Sequence, residues 1–216
     1  MSEIPSLPDT LRVLPGCFAG LPVQSLPRGY RFYRGKVRDV VISGEEMLIF
    51  TTDRVSAFDR ILATVRHKGE VLNRISVFWL KKAEKIVPTH LEEEISPRAV
   101  RVARTTPVPI EVVVRGYLTG SAWRDYSAGR RVSGIALPPG LSRDERFETP
   151  VITPSTKEQD GGHDTPISRE EILESNLVEK KTWEEIETVS RELFRMGSEH
   201  AASRGVILVD TKYEFG

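Results

Sequence analysis

The 216-residue sequence predicts an α+β fold with two lobes. Three observations carry that prediction. Runs that read as antiparallel hairpins come early and the runs with helix-start signals come late, a segregation that favours α+β over regular strand–helix–strand alternation. The Pro-rich stretch TTPVPIE, near Val108, falls between them. Hydrophobic residues at 39% and charged residues at 29% are the balance of a globular chain long enough to bury a sizeable core. The expected divisions are a Pro-rich arm over 1–28, a small β-rich lobe over 29–107 and a larger lobe over 108–216.

The elements follow in chain order. Pro5, Pro8, Pro15, Pro22 and Pro27 fix φ and remove backbone donors, so the arm reads as extended. YRFYRGKVRDVVISG reads as two strands turning at Gly35, with a further turn at Ser43-Gly44, and MLIFTT (47–52) as a third, apolar strand. TDRVSAFD reads as a polar loop. KGEVLNRISVFWLKK is the first clear helix, with Val71, Ile75, Phe78 and Trp79 expected on its buried face. RAVRVAR (98–104) and IEVVVR (110–115) alternate as strands, and GYLTGSAWRDYSAG is partly helical. Residues 133–166 are rich in Pro, Gly, Ser and Thr with little periodicity, an unusual length without structure unless functional. Capping boxes at Ser168/Glu171 and Thr182/Glu185 mark two helix starts. The second helix should bury Trp183, Ile186, Val189, Leu193 and Phe194 and stop near Gly205, before a closing strand VILVDTKYEFG that enters a core.

Composition excludes several classes of function. Lys+Arg and Asp+Glu are both 31, a formal net charge of zero, so broad binding to nucleic acid or an anionic membrane is not expected. Cys17 is the one cysteine; no internal disulfide can form, and a cytoplasmic location fits. No apolar run reaches the roughly 20 residues of a membrane span, and the N-terminus does not read as a signal peptide.

Four segments hold candidate chemistry. On the closing strand Asp210, Lys212 and Glu214 alternate onto one face, with Val209, Thr211, Tyr213 and Phe215 on the other. Such a row of charges is costly unless solvated, paired or holding ligands. It reads either as an exposed acid–Lys–acid ladder or as a cation site, with Glu214 on Mg²⁺, Lys212 facing a phosphate or carboxylate and Asp210 orienting it. In RGKVRD, Gly35 permits a tight turn and close approach to a phosphate, and Arg34, Lys36 and Arg38 would share a face. That segment lacks the Walker A pattern, and a solvated hairpin is the competing reading. In IEVVVRGYLTGS, Glu111, Val113 and Arg115 share a face and Gly120-Ser121 begins a helix, a setting for phosphate or carboxylate groups. Alternatively Arg115 is ion-paired to Glu111 within the fold. The loop TPSTKEQDGGHD holds Lys157, His163 and Asp164, too sparse a set for a metal centre or a triad.

YRGKVRDV, TDRVSAFD, KGEVLNRIS, PIEVVVRGYLTGS, TPSTK with HD, and VDTKYEFG, in that order from Tyr30 to Gly216, resemble the SAICAR synthetase (phosphoribosylaminoimidazole-succinocarboxamide synthase) family. The resemblance implies a small β-rich lobe and a larger lobe with ATP between them. It implies a purine-biosynthetic ligase that joins L-aspartate to carboxyaminoimidazole ribonucleotide (CAIR), giving SAICAR, ADP and phosphate through an acyl phosphate. A carboxylate is a poor acyl donor until phosphorylated, and Mg²⁺ and cationic side chains offset the charge of three anionic substrates. By this likeness Gly35, Lys36, Arg38 and Lys157 hold ATP phosphates and Glu111 lies against the adenine. Arg115, Ser121 and Asp164 bind the ribonucleotide, with Asp53 and Ser56 bordering its pocket. Asp210 and Lys212 serve the reacting carboxylate, and Glu214 binds Mg²⁺. The expected partners are small molecules only. The family pattern continues after KYEFG with an Asp-Glu pair and a Ser-Arg motif, so a sequence ending at Gly216 is expected to be a fragment or truncated member. The alternatives are a catalytically incomplete nucleotide-binding fragment, or an ATP-dependent phosphotransferase, against which stands the lack of HRD-like and DFG-like motifs.

Overall fold

The computed structural model describes residues 17–22, 26, 29–58, 60–157 and 165–216, so most of the Pro-rich arm lies outside the described residues. The chain divides into two compact units, Met1–Thr105 and Thr106–Gly216. Both mix strands and helices, and the fold is α+β. Among the described residues no helix is long and apolar enough to cross a membrane.

The first unit is built on a five-stranded antiparallel sheet. Its strands are β1 (Arg31–Arg34), β2 (Arg38–Ser43), β3 (Glu46–Thr51), β6 (Leu91–Ser96) and β7 (Ala99–Val102), in the order β1-β2-β3-β7-β6. Alternation sends Val41, Leu48 and Phe50 to a core shared with Phe18 and Leu21. Met47 and Ile49 point the other way, with Val100 and Val102, towards Val77 of α1 (Lys68–Ala83). TDRVSAFD is not a loop: Arg54–Ala57 forms β4, paired with β5 (Arg60–Thr64) in a separate two-stranded hairpin. Its partner strand lies immediately downstream, and four residues were too few to show a period in the sequence.

Helix α1 turns a different face inward from the one the apolar spacing predicts. Gly69, Asn73 and Val77 are buried, whereas Val71, Ile75 and Phe78 are about half exposed. The cause is close approach at Gly69, where a Cβ would stand 2.4 Å from the Thr51 carbonyl oxygen. Only glycine allows that contact, and the contact sets the helix's rotation.

The second unit holds a four-stranded sheet in the order β10-β9-β8-β11: β8 is Ile110–Tyr117, β9 Arg146–Thr156, β10 Thr165–Pro166 and β11 Asp210–Glu214. Strand β9 runs antiparallel beside β8 inside the segment that showed no periodicity in the sequence, its alternation masked by Pro150, Pro154 and three threonines. Helix α2 (Gly120–Ser127) follows β8, and α3 (Arg169–Glu174) and α4 (Lys180–Ala202) precede β11. The Ser168/Glu171 capping box is present in both directions. The Thr182 box is not: α4 begins at Lys180 with Glu179 as N-cap, so Thr182 is already helical. Helix α4 buries Trp183, Ile186, Ser190, Leu193, Phe194 and Gly197, with Val189 half-buried. The closing strand starts only at Asp210. Val206 and Ile207 before it are exposed rather than packed in a core, the chain having just left the left-handed turn at Gly205.

Candidate functional site

The second sheet has two unlike faces. Ile110, Val112, Val114 and Ile152 pack with Ile172, Trp183, Ile186 and Phe194. The opposite face is polar, because β8, β9 and β11 are in register: Glu111 lies opposite Glu214 and Ser155, Val113 opposite Lys212 and Thr153, and Arg115 opposite Asp210 and Val151. Residues directly opposite in a ladder project to the same side. The alternation of β11 thus puts its three charges on one face, and the register with β8 sets them beside Glu111 and Arg115.

Arg115 is fixed in a fork of three acceptors. Its Nε donates to Thr153 Oγ1 at 2.9 Å, and its terminal nitrogens reach Ser121 Oγ at 3.2 Å and Asp210 Oδ2 at 3.4 Å. Burial lowers the Arg115 pKa, and the carboxylates of Asp210 and Asp125 oppose that effect. An Arg115–Glu111 pair does not form. Glu111, only 5% exposed, accepts instead from Lys212 Nζ at 2.8 Å. Lys157, just past β9, donates to Glu214 at 2.5 Å. Partial burial raises the Glu214 pKa, but Lys157, Lys212 and a hydrogen bond with Glu111 outweigh it and hold the carboxylate below its ordinary range. Thr153, which the sequence pattern does not single out, is buried and donates to the Val113 carbonyl while accepting from Arg115. Its only signal was its place on a strand that was itself hidden.

In the first unit, Gly35, Lys36 and Val37 form the β1–β2 turn. A Cβ on Gly35 would lie 2.9 Å from the Arg38 carbonyl oxygen, so the turn requires glycine. Arg34, Lys36 and Arg38 do not share a strand face, since Lys36 is in the turn and Arg34 reaches sideways to the Leu21 carbonyl and Asp39. Lys36 and Arg38 are exposed.

Asp53, expected to border the substrate pocket, is tied into the fold. Fully buried, its carboxylate accepts from Arg98 Nη1 at 2.6 Å and from the amides of Phe18 and Gly69, both at 2.8 Å. Ser56 is half-buried on β4, opposite Ile61. His163 and Asp164 lie outside the described residues. Among the described residues no group of three or more His, Cys, Asp or Glu side chains stands ready for a metal. Glu214 and its neighbour Glu111 do offer the oxygen donors a hard cation takes.

The fold is α+β, and the turn in the first unit and the polar face of the second sheet both present basic side chains. Residues 31–216 match the SAICAR synthetase family, and the chain belongs to that family. The phosphoribosylaminoimidazole-succinocarboxamide synthase of Legionella pneumophila (strain Paris) is 46% identical over 197 residues, covering 89% of this chain and 62% of the relative. That of Azobacteroides pseudotrichonymphae genomovar. CFP2 is 48% identical over 187 residues, covering 85% and 58%. The chain therefore spans about 60% of the length of these curated relatives. SAICAR-synthase from Saccharomyces cerevisiae, solved in complex with SAICAR, matches with a TM-score of 0.77 at 31% identity, covering 88% of this chain and 70% of that one.

Proposed function

We propose that this chain serves the ATP-dependent joining of L-aspartate to CAIR in purine biosynthesis. The observation that carries the reading is the polar face of the second sheet. It gathers Glu111, Arg115, Ser121, Lys157, Asp210, Lys212 and Glu214 from separated segments into one paired array. Membership of the SAICAR synthetase family, and the SAICAR bound by the yeast relative, support it.

In this reading the CAIR carboxylate attacks the γ-phosphorus of ATP and ADP leaves. The aspartate amine then attacks the acyl carbon, phosphate leaves, and the amine sheds a proton to give the amide. Arg115, already oriented by Thr153, grips the ribonucleotide with Ser121 and, from outside the described residues, Asp164. Lys212 offsets negative charge at the reacting carboxylate, and Asp210 keeps Arg115 and its surroundings in place. Lys36 and Arg38 on the Gly35 turn hold ATP phosphates, with Lys157 assisting, and Glu111 borders the adenine. Glu214 would hold Mg²⁺, exchanging its Lys157 contact for the metal; when bound, Mg²⁺ offsets phosphate charge. Asp53 and Ser56 border the substrate pocket, Asp53 through the groups it anchors. A cytoplasmic location and small-molecule partners alone complete the reading.

The test is ADP release from ATP in the presence of CAIR, with and without L-aspartate. Release that needs both acids, with formation of SAICAR, is expected. ADP release with CAIR alone and no amide product would replace the ligase by a phosphotransferase.

A further inference from the structure

The turn proposed to hold ATP phosphates is secured from inside by Arg54, a side chain 4% exposed in the middle of TDRVSAFD. Its Nη2 donates to the Gly35 carbonyl at 2.8 Å and its Nε to the Lys36 carbonyl at 3.1 Å. Nη2 also lies 3.4 Å from the Arg38 carbonyl, and Nη1 donates to the Ala19 carbonyl at 2.6 Å. The remaining carbonyl of the turn, that of Val37, accepts from the Thr52 hydroxyl at 2.8 Å and the Thr52 amide at 3.0 Å. Three successive carbonyls, from Gly35 to Val37, are thus bound by groups beneath the turn, while that of Arg38 accepts from the Gly35 amide at 2.8 Å.

The arrangement has an electrostatic consequence. A carbonyl oxygen is the negative end of its peptide dipole, and oxygens facing outward would repel an anion approaching the turn. Here those ends are drawn inward, away from the side on which Lys36 and Arg38 are exposed. Arg54 does not itself attract the anion, because Asp39 neutralises it at 2.7 Å and both are buried. Its contribution is geometric, and it uses the planar fork that distinguishes Arg from Lys.

We infer that Arg54, with Thr52, is a positioning residue for nucleotide phosphates, orienting the carbonyls of residues 35–37 so that the turn accepts a polyphosphate. The inference rests on the proposed phosphate role of Lys36 and Arg38.

Calorimetric titration of ATP and of adenosine into the wild type, Arg54→Lys, Thr52→Val and Lys36→Ala tests it. In Arg54→Lys, ATP affinity should fall about tenfold, the scale of one charge-assisted hydrogen bond, while adenosine affinity is unchanged. Thr52→Val, nearly isosteric, should shift ATP alone in the same direction and decides the matter if Arg54→Lys does not fold. Equal losses for ATP and adenosine would make Arg54 a general scaffold residue and overturn the inference. If Lys36→Ala weakens ATP while the Arg54 and Thr52 variants bind normally, the inference fails and the phosphate site stands. If the wild type binds no ATP, or Lys36→Ala leaves its binding untouched, the phosphate reading falls and the inference falls with it.

Discussion

Two duties are assigned to Lys212, and a second substitution at Glu111 separates them. It is proposed to neutralise charge on the reacting carboxylate, and it is the partner of the buried Glu111. Lys212→Met should lower turnover about 100-fold or more, the scale of one lost preorganised contact. It should also cost about 1 kcal/mol of stability by leaving Glu111 without that partner. Glu111→Gln added to Lys212→Met should restore the melting temperature and not the turnover. Near-normal turnover in Lys212→Met would remove Lys212 from the chemistry. At this scale much is readable in the sequence: a period of two is enough to put Asp210, Lys212 and Glu214 on one face. Their partners are not readable. Whether Arg115 meets Glu111 or Asp210 depends on how two strands 95 positions apart come into register.

Elements are tied together by buried polar groups as much as by apolar packing. Asp53 joins the segment at Phe18, the start of α1 at Gly69 and Arg98 beside β7. Desolvation pushes its pKa up, but the Arg98 hydrogen bond and charge and the two amides outweigh this and hold it below the ordinary carboxylate range. The folded carboxylate therefore stays ionised where the unfolded one takes up a proton. The stability it contributes is complete above the unfolded carboxylate range and is lost as pH falls through the depressed folded value. Asp53→Asn should cost about 3 kcal/mol near neutral pH, the scale of breaking a buried ion pair. Its melting temperature should also fall less steeply than the wild type's as pH drops below about 4. Parallel acid limbs in the two proteins would show that Asp53 is not the titrating anchor. Elements with a long clean period are legible, as with β3, β8 and α4. Those governed by close approach or hidden by Pro and Thr are not. Gly69 rotates α1 away from its apolar stripe, and β9 shows no alternation by composition alone.

For the whole molecule, two compact units each bury their own core; the first exposes Lys36 and Arg38, and the second carries Lys157 and Lys212 at its surface and the largely buried Arg115. The segregation of hairpins and helices in the sequence anticipates the α+β class, because it reflects which elements bury which faces. The central claim is that the fork holding Arg115 is the ribonucleotide grip. Lys cannot span Thr153, Asp210 and Ser121 as a planar guanidinium does. The most direct measurement is calorimetric titration of CAIR and, separately, of ATP into the wild type and Arg115→Lys. The account predicts that CAIR affinity falls about tenfold or more while ATP affinity and melting temperature hold. Equal loss of both affinities together with a lower melting temperature would contradict it, leaving Arg115 as a structural ion pair.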